Sequence, residues 1–484
     1  MKIRARYFFI LLGACALLTS CNDEKPRPNI VYILADDLGY GDLGSYGQKT
    51  ILTPNLDRLA KQGISFTQHY SGSAVCAPSR SALLTGLHTG HTPIRGNREV
   101  GAEGQVPLPA HSLTMAKVMQ QAGYKTGAFG KWGLGFVGTE GDPLNQGFDV
   151  FFGYNCQRLA HRYYPLHLWS NDKKVMLAGN DWIQKKTYAP DVIQSATLKF
   201  FEENKDAPFF AYVPLVLPHA ELISPQDSIL ALYDGEFDEI PHSESNPYTS
   251  DYGANIKTEM YCPQDQPKAV YASMVTRMDA YVGQILDKLE ELNLSENTLV
   301  IFTSDNGPHT EGGYKPEYFD SNGIYRGMKR DLYEGGIRVP MIARWPGKIK
   351  ANSNSAHASV FYDMMPTISD LIGLENIPQT DGISFLPTLL GHSDAQVKHD
   401  YLYWELNTKG GRKAVRFGNW KAVHYQFEKD PESAVELYDL SIDPSEQNDL
   451  ADQFPEIVAK ATTLMNQAHK PSELFPWQSD NIKR

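Results

Sequence analysis

The sequence predicts an α/β fold in which a large mixed sheet lies between helices and is followed by a smaller C-terminal unit. Two patterns lead to this prediction. Short apolar runs rich in Val, Ile, Phe and Tyr alternate with longer segments whose apolar residues recur every three or four positions. Strands separated by helices form a parallel or mixed sheet that is covered on both faces. The 484 residues suffice for one large core and a smaller addition.

Four segments are predicted as buried strands, because each is a short apolar run followed by turn residues. They are residues 30–35, 126–129, 209–217 and 299–303. The segments predicted as helices are 55–62, 112–122, 191–203 and 268–292. In the last of these, Val270, Met274 and Met278 begin an apolar stripe that continues to Leu289, which predicts core packing rather than ligand binding.

The pattern changes after about residue 395. Residues 401–405, 413–417 and 420–425 are typical of strands joined by Gly and Asn turns, and 455–468 is predicted as a terminal helix. We therefore expect a leader at 1–20, a catalytic domain at 21–395 and a C-terminal α+β subdomain at 396–484. The long polar stretch 236–266 is predicted as a loop that covers a site or is mobile.

The composition limits the partners that the protein can have. With 45 basic and 57 acidic residues the net charge is −12, which argues against binding to nucleic acid or to anionic lipid surfaces. The hydrophobic share of 42% and the five cysteines exclude a disordered chain and a disulfide scaffold. If the protein binds an anion, it must do so with a local cluster of positive charge.

The N-terminus is typical of an export signal. A basic start is followed by an apolar run at 7–18 and by Leu18-Thr19-Ser20-Cys21, after which the chain turns acidic. The small residues before Cys21 are typical of a bacterial lipoprotein, in which this cysteine carries the lipid; an ordinary cleaved signal is the alternative. We expect an exported protein that faces the periplasm or the cell surface and touches the membrane only through this lipid.

Polar residues follow all four predicted strands of the catalytic domain. In open α/β sheets, ligands bind outside the carboxyl ends of the strands, so four such ends indicate one shared site. The carboxylate and amide oxygens among them favour Ca²⁺ or Mg²⁺ over Zn²⁺. The residues, in strand order, are Asp36 and Asp37, Lys131, His219, and Asp305 with Asn306.

Cys76 is the cysteine to examine for chemistry. Cys15 leaves with the leader and Cys21 carries the lipid. Of the five cysteines, Cys76, Cys156 and Cys262 remain, and because three is an odd number at least one thiol is unpaired. Pro78 fits the first turn of a helix, which would place Cys76 at the positive end of the helix dipole with Arg80 about one turn behind it. From this context alone, a reactive cysteine and a buried structural one are equally open.

The segment from Cys76 to Arg80, followed by Leu84-Thr85-Gly86, resembles the signature of type I sulfatases. In that family a maturation enzyme oxidises the cysteine to formylglycine. The other motifs that match the family in order and rough spacing are Asp36-Asp37, Gly130-Lys131-Trp132, Pro218-His219, Ser304-Asp305-Asn306-Gly307, Gly327-Met328-Lys329 and Glu334-Gly335-Gly336-Ile337-Arg338. The resemblance implies a fold similar to alkaline phosphatase and hydrolysis of sulfate monoesters.

The resemblance also implies roles for these residues. Calcium would be held by Asp36, Asp37, Asp305, Asn306 and the modified residue 76. One hydroxyl of the hydrated aldehyde at position 76 would attack sulfur, and the second would later expel sulfate. The developing charge would be stabilised by Arg80, Lys131 and Lys329. The proton for the departing alcohol would come from His219, with help from Lys329.

One position departs from the family. Many relatives carry a histidine where this chain has Gly133, so the base of the elimination step is missing. We consider His161 as a replacement base, with a substrate contact as the equal alternative, and expect that His309 can touch substrate. The expected substrate is a sulfated glycan of galactose or N-acetylhexosamine type, cleaved from its end. A phosphoryl or phosphonate monoester hydrolase and a non-catalytic glycan-binding lipoprotein are the competing interpretations.

Overall fold

The computed structural model describes residues 27–480, except 102, 182, 183, 244–246, 250–256, 260, 261, 375, 377 and 431; of 247–249 and 257–259 only the backbone is described. The predicted leader and its Cys21 therefore lie outside the described residues, as does much of the predicted loop 236–266. No helix within the described part combines the length and the apolar character needed to cross a bilayer.

The strands follow the predicted pattern and extend it. Each of the four predicted strands of the catalytic domain is present, with bounds that shift by one to three residues. The strands are β1 (Asn29–Ala35), β2 (Ile64–Tyr70), β3 (Lys125–Lys131), β4 (Val150–Tyr154), β5 (His167–Ser170), β6 (Lys173–Met176), β7 (Phe209–Pro214), β8 (Pro247–Thr249), β9 (Lys257–Glu259), β10 (Thr298–Ser304), β11 (Arg338–Arg344), β12 (Ser353–Ser355), β13 (Ser359–Val360), β14 (Leu402–Leu406), β15 (Arg412–Phe417), β16 (Trp420–Tyr425) and β17 (Val435–Asp439).

The large sheet is mixed, as predicted. Its strand order is β12-β2-β11-β10-β1-β7-β3-β4-β5-β6, and β13 also pairs with β2. The central strands β10, β1, β7, β3 and β4 are parallel, whereas β11 and β5 join them in antiparallel orientation. Ile30 pairs with both Leu299 and Phe210, which fixes the register at the centre. The parallel centre directs several strand ends to one edge of the sheet.

Helices cover both faces of this sheet. The helices are α1 (Pro54–Lys61), α2 (Cys76–Thr85), α3 (Met115–Gln121), α4 (Gln157–Ala160), α5 (Ala189–Glu203), α6 (Pro267–Glu291), α7 (Glu334–Ile337), α8 (Met364–Leu371), α9 (Leu386–Leu389) and α10 (Pro455–Ala468). One core contains residues of α1, α5 and α6 with Val31 and Ile33 of β1. The opposite core contains residues of α2, α3, α8 and α9 with Ile30 and Tyr32. The alternation along β1 places its side chains on the two faces in turn.

The predicted methionine stripe of α6 is core, as expected. Val270, Met274, Met278 and Leu289 are all buried, and they pack with the first of the two cores. By contrast, β7 ends at Pro214, three residues before the predicted end. The chain turns there although the residues remain apolar, and Leu217 accepts a hydrogen bond from the backbone of Asp36 at 3.0 Å. Apolar character alone cannot mark such a turn.

The C-terminal residues form a second sheet with the order β14-β15-β16-β17, all antiparallel. Helix α10 has the predicted bounds and packs Ala461 and Met465 against this sheet. The strand β17 was not predicted. The separate sheet agrees with a smaller C-terminal α+β unit, while the boundary near residue 395 stays a prediction.

A buried ionic cluster joins the two sheets. Lys421 of β16 contacts Glu334 of α7 and Glu446, each at 2.9 Å, and all three side chains are fully buried. Burial would raise the pKa of Glu334, but Lys421, Arg338 and Arg416 outweigh it and lower the pKa to about 2. Burial raises the pKa of Glu446 to about 7, and Glu334 adds to that effect against Lys421. Lys421 is therefore the cation on which both carboxyl groups depend.

Candidate active site

The ends of the central strands bring the predicted polar residues together. Ala35 at the end of β1 pairs with Ser304 at the end of β10, so Asp36 and Asp305 follow neighbouring strands at the same edge. The backbone N–H of Asp37 donates to Asp305 Oδ1 at 3.1 Å. Lys131 is the last residue of β3. The sequence rule that ligands bind beyond the carboxyl ends of parallel strands thus correctly located this cluster.

Two of the three carboxylates are paired with cations on one side of the cluster. Lys131 Nζ lies 2.6 Å from Asp36 Oδ2, and Arg80 Nη2 lies 3.5 Å from the same oxygen. Arg80 also donates to Asp305 Oδ2 from Nε at 3.0 Å and from Nη2 at 2.8 Å. All four side chains are fully buried. Their mutual pairing offsets the cost of removing these charges from water.

The third carboxylate has its own cation. Lys329 Nζ lies 2.6 Å from Asp37 Oδ2. Burial alone would raise the pKa of Asp37, but Lys329, His309 and Lys131 outweigh it and lower the pKa to about 2. In turn, burial opposes the charge on Lys329, while Asp37 and Glu311 raise its pKa well above the usual value. Asp37 is therefore an anion and Lys329 a cation at neutral pH.

Cys76 faces this cluster from the start of a helix. It is the first residue of α2, as the Pro78 pattern predicted, and its Sγ lies 3.3 Å from Asp36 Oδ1 and 3.9 Å from Asp37 Oδ1. Burial raises the pKa of this thiol well above its usual value, and Asp305 and Asp36 raise it further. An unmodified thiol would stay protonated here and would be a poor nucleophile. Sγ marks the place of the oxygen that oxidation of the side chain would introduce.

The donor set fits an oxygen-seeking divalent cation. Asn306 Nδ2 donates to Asp37 Oδ1 at 2.7 Å, while Asn306 Oδ1 is buried with no hydrogen-bond partner in the described part of the chain. Burial raises the pKa of Asp305 to about 7, and Asp36 adds to this effect against Arg80. A cation would satisfy the orphaned oxygen and relieve the repulsion between carboxylates. The structure thus supports the oxygen-only set that the sequence suggested.

His219 also lies within reach of this cluster. One possible ligand atom from each of Asp36, Asp37, Cys76 and His219 lies within 4.8 Å of the others. His219 Nδ1 is bonded to the Ala220 carbonyl, so Nδ1 carries the proton and Nε2 is the acceptor. Nε2 lies 3.0 Å from Lys329 Nζ, which can only donate. Because that lone pair already has a partner, we assign His219 to the proton chemistry rather than to the cation.

Three imidazole rings lie together at this end of the site. The rings of His161 and His219 are stacked with centroids 4.6 Å apart and planes at 14°, and His309 lies 6.0 Å from His219. Burial lowers the pKa of His219 and of His161 well below the usual value, and the cations Lys131 and Lys329 lower both further. Both rings are therefore neutral. The catalytic and substrate-binding roles assigned to them remain predictions.

His309 is more deeply placed than a simple substrate contact requires. It is fully buried, its Nε2 is 3.2 Å from the Pro218 carbonyl, and its Nδ1 accepts from the Glu311 backbone at 3.1 Å. Both ring nitrogens thus have protein partners. This placement favours a role in holding the segment that carries His219, and the expected contact with substrate stays a prediction.

The structure accommodates glycine at position 133. Gly133 has φ +81°, and a Cβ added there would lie 2.3 Å from Gln157 Nε2. Gln157 is buried, so its side chain fills the space beside the glycine. A histidine at this position would require both the backbone and Gln157 to move.

Comparison with known proteins identifies the family to which this arrangement belongs. Residues 28–374, which include every residue of the cluster, match the sulfatase family. The chain belongs to the sulfatase family. Residues 323–471 also match the C-terminal region described for N-sulphoglucosamine sulphohydrolase. The protein is therefore a sulfuric ester hydrolase.

Curated relatives are similar over almost the whole sulfatase. An N-acetylgalactosamine-6-O-sulfatase of Bacteroides thetaiotaomicron is 30% identical over 94% of this chain and 97% of its own length. Human arylsulfatase A is 32% identical over 94% of this chain and 88% of its own. The similarity thus extends through both sheets.

Solved structures share the fold of this sulfatase. The crystal structure of Ps i-CgsB superimposes with a TM-score of 0.74 at 26% identity and covers 94% of each chain. The phosphonate monoester hydrolase of Agrobacterium radiobacter gives a TM-score of 0.64 at 21% identity, over 95% of this chain and 100% of its own, and shows the fold alone. The predicted alkaline-phosphatase-like fold is confirmed.

Two contacts of the sulfatase site were not predicted. Asn97 Oδ1 accepts from the Ala77 backbone at 3.0 Å, directly behind position 76. Glu311 lies 3.3 Å from His309 Nδ1 and 2.6 Å from Arg330. Glu311 follows His309 by two residues, and this spacing could have indicated that Glu311 lies near the site. No pattern in the sequence distinguishes Asn97 from an ordinary loop residue.

Proposed function

We propose that this sulfatase removes sulfate from sulfated glycans of galactose or N-acetylhexosamine type, acting at the chain end. The observation that carries the proposal is the position of Cys76 Sγ, within 3.9 Å of both Asp36 and Asp37 in a cluster that also holds three cations. Support for the substrate class comes from the relative described as an N-acetylgalactosamine-6-O-sulfatase. The acidic chain, with net charge −12, disfavours binding along a long polyanion.

The proposal includes two additions to the chain. Cys76 would be oxidised to formylglycine by a maturation enzyme, and Ca²⁺ would be held by Asp36, Asp37, Asp305, Asn306 and residue 76. Together these groups would supply a hydroxyl of lowered pKa and a positive field for the sulfate oxygens. The orphaned Asn306 Oδ1 and the raised pKa of Asp305 support the cation.

The chain's own cations would orient the sulfate group. Arg80, Lys131 and Lys329 balance Asp36, Asp37 and Asp305 one to one, so a bound divalent ion would leave the cluster with an excess of two positive charges. This excess complements a sulfate ester and the charge that develops on it. It is the local positive cluster that the acidic composition requires of an anion-binding site.

Lys329 and His219 would serve the departing alcohol. Lys329 Nζ is charged and donates to His219 Nε2, so the pair holds a proton at a defined place beside Asp37. The proton on Lys329 Nζ would pass through Nε2 of His219 to the leaving oxygen, which leaves Lys329 neutral until it is reprotonated from solvent. Its Nδ1 bond to the Ala220 carbonyl fixes the ring orientation in which Nε2 faces the site.

Removal of the metal is expected to suppress turnover. Dialysis against a chelator should lower kcat by about tenfold or more, because the carboxylates would repel one another and the sulfate would lose its strongest positive partner. Added Ca²⁺ should restore activity better than Zn²⁺, since the ligands are oxygens. The control is the same chelator presaturated with Ca²⁺. Full activity after exhaustive chelation would contradict the calcium proposal.

His161→Ala tests whether this ring replaces the missing histidine. If His161 is the base of the elimination step, kcat should fall by about 10²-fold with little change in KM. The exposed His111 provides a control, and His111→Ala should leave both constants unchanged. An unchanged kcat with a raised KM would assign His161 to substrate binding instead.

A substrate screen tests the proposed function directly. Release of sulfate from defined sulfated mono- and disaccharides should identify the sugar and the position. Phosphate and phosphonate esters of the same alcohols serve as matched controls, because the phosphonate hydrolase interpretation predicts that they react faster. Hydrolysis of the phosphonates but not of the sulfates would overturn the proposal.

The location of the protein is a further part of the proposal. We propose export and anchoring through a lipid on Cys21, facing the periplasm or the cell surface. The basic start, the short apolar run and the acidic residues after Cys21 support it. Mass analysis of the N-terminal peptide of the membrane-bound protein would detect the lipid, and an unmodified N-terminus beginning elsewhere would contradict it.

A further inference from the structure

A basic cavity lies between the edge of the large sheet and the C-terminal sheet. It has a volume of about 240 Å³ and is lined by residues 356–358 and Gln68 on one side and by Arg416 and Asn419 on the other. Lys398 and His399 also line it, and no carboxylate does so among the residues that the structure describes. None of the lining residues belongs to the catalytic cluster.

Arg416 is a buried cation whose hydrogen bonds all go to neutral oxygens. It is 8% exposed, and it donates to the Tyr70 hydroxyl, to Gln68 Oε1 at 2.5 Å and to the Gly418 carbonyl at 3.4 Å. A guanidinium has five N–H donors, so two remain without an acceptor in the described part of the chain. A buried cation with unused donors favours an anion beside it.

No carboxylate among the described residues forms a direct ion pair with Arg416. Tyr70 donates to Glu334 Oε2 at 2.7 Å, so Glu334 reaches Arg416 only through the tyrosine hydroxyl. Glu334 is already paired with Lys421 at 2.9 Å and with Arg338 at 3.1 Å. Arg416 lowers the pKa of Glu334, so that carboxylate balances part of its charge, and the unused donors of the guanidinium remain at the wall of the cavity.

Three other bases line the cavity, and the exposed Lys398 is the one that adds a charge without an ion-pair partner among the described residues. His399 Nε2 lies 2.7 Å from the buried Asp363, which raises the pKa of His399 although burial opposes it. Burial lowers the pKa of His357; Asp363 opposes this effect, whereas His399 and Lys398 add to it, so all these groups lie close to one another.

We propose that this cavity binds a sulfate group at a site separate from the catalytic cluster. A cavity of about 240 Å³ has room for a tetrahedral oxyanion with a few waters. The choice of sulfate rests on the proposed function, because the glycan and the product of its hydrolysis both carry this group. The planar donors of Arg416 suit two oxygens of one sulfate.

Binding of radiolabelled inorganic sulfate to the full chain, measured by equilibrium dialysis, tests the site. Lys398→Gln and Arg416→Gln are each expected to weaken one class of bound sulfate by about tenfold, as loss of a charged donor predicts. Lys125→Gln is the control: Lys125 is exposed on β3, five strands from β2, or roughly 24 Å at about 4.8 Å per strand. A melting curve without sulfate shows whether each variant folds.

Kinetics with sulfated oligosaccharides distinguish the two sources of the sulfate group. If the cavity binds an ester on the same glycan, Lys398→Gln should lower kcat/KM for multiply sulfated oligosaccharides and not for a monosulfated monosaccharide. If the cavity binds the released sulfate ion instead, Lys398→Gln should weaken sulfate binding in dialysis and leave kcat/KM unchanged for both substrates. Sulfate binding that is unaltered in two folded variants would overturn the proposal. If the wild-type protein hydrolyses no sulfate ester, the proposed function is wrong. The dialysis experiment would still show whether the cavity binds sulfate.

Discussion

Replacing Cys76 with alanine is expected to lower kcat by roughly 10⁴-fold or more while the protein remains folded. The side chain lies 3.3 Å from Asp36 Oδ1 at the first position of α2, and we propose it as the source of the nucleophile. Alanine keeps the helix start and removes only the reacting atom. Sulfate release and the melting temperature of the same preparation check the two parts of this expectation.

Cys156 supplies the matched control. It is also fully buried, and burial raises its pKa to about 12, yet its Sγ accepts only from the backbone of Leu159, at 3.5 Å. Cys156→Ala should leave kcat within about twofold of the wild type, because its Sγ bonds to the backbone of α4 and not to the carboxylates or cations of the cluster. Substantial turnover in the Cys76→Ala protein would refute the assignment of the nucleophile. A loss of activity in both variants would indicate a general effect of removing a buried thiol.

Replacing Lys421 with methionine is expected to lower the free energy of unfolding by about 3–5 kcal/mol. Glu334 and Glu446 would be left buried without the cation that lies 2.9 Å from each of them. Methionine keeps the length of the side chain, so the loss would come from the charge. Chemical denaturation of the variant and the wild type measures the difference, and an equally stable variant would contradict this account of the cluster.

The loss of unfolding free energy in the Lys421→Met protein should depend on pH. Burial already raises the pKa of Glu446 to about 7, and without the lysine it rises further above the unfolded-chain value, so stability is lost as pH rises through it. The deficit should therefore be smaller at pH 5 than at pH 8. Lys348→Met is the control, because Lys348 is exposed and the change should have little effect at either pH. A deficit that does not vary with pH would show that packing, rather than charge, is responsible.

The elements that sequence predicts well are those with strong apolar periodicity. Helices α6 and α10 were predicted to within one residue, because their apolar stripes are long and regular. Strand β2 was missed since its centre contains Thr67 and Gln68, and these side chains bond to Ser355 and to Arg416 from other parts of the chain. Such partners are visible only when the fold is known.

The same distinction applies to the site. Asp36, Lys131 and Asp305 could be predicted as neighbours because strand ends in a parallel sheet converge at one edge. That Lys329 pairs with Asp37 could not be derived from the residues themselves, since it depends on the path of a long connection; the family resemblance indicated only that Lys329 belongs to the site. Contacts such as Asn97 behind position 76 depend on a loop returning to one place. The sequence pattern predicts where strands and helices end, whereas tertiary packing determines which side chains come into contact at those ends.

The depth at which Cys76 lies also sets an order of events during biosynthesis. Only 1% of this residue is reachable from solvent, so the oxidation that we propose would have to precede closure of the chain around it. A molecule that folds first would remain permanently inactive. Purified samples would then be mixtures of competent and incompetent molecules, and any measured turnover number must be divided by the competent fraction.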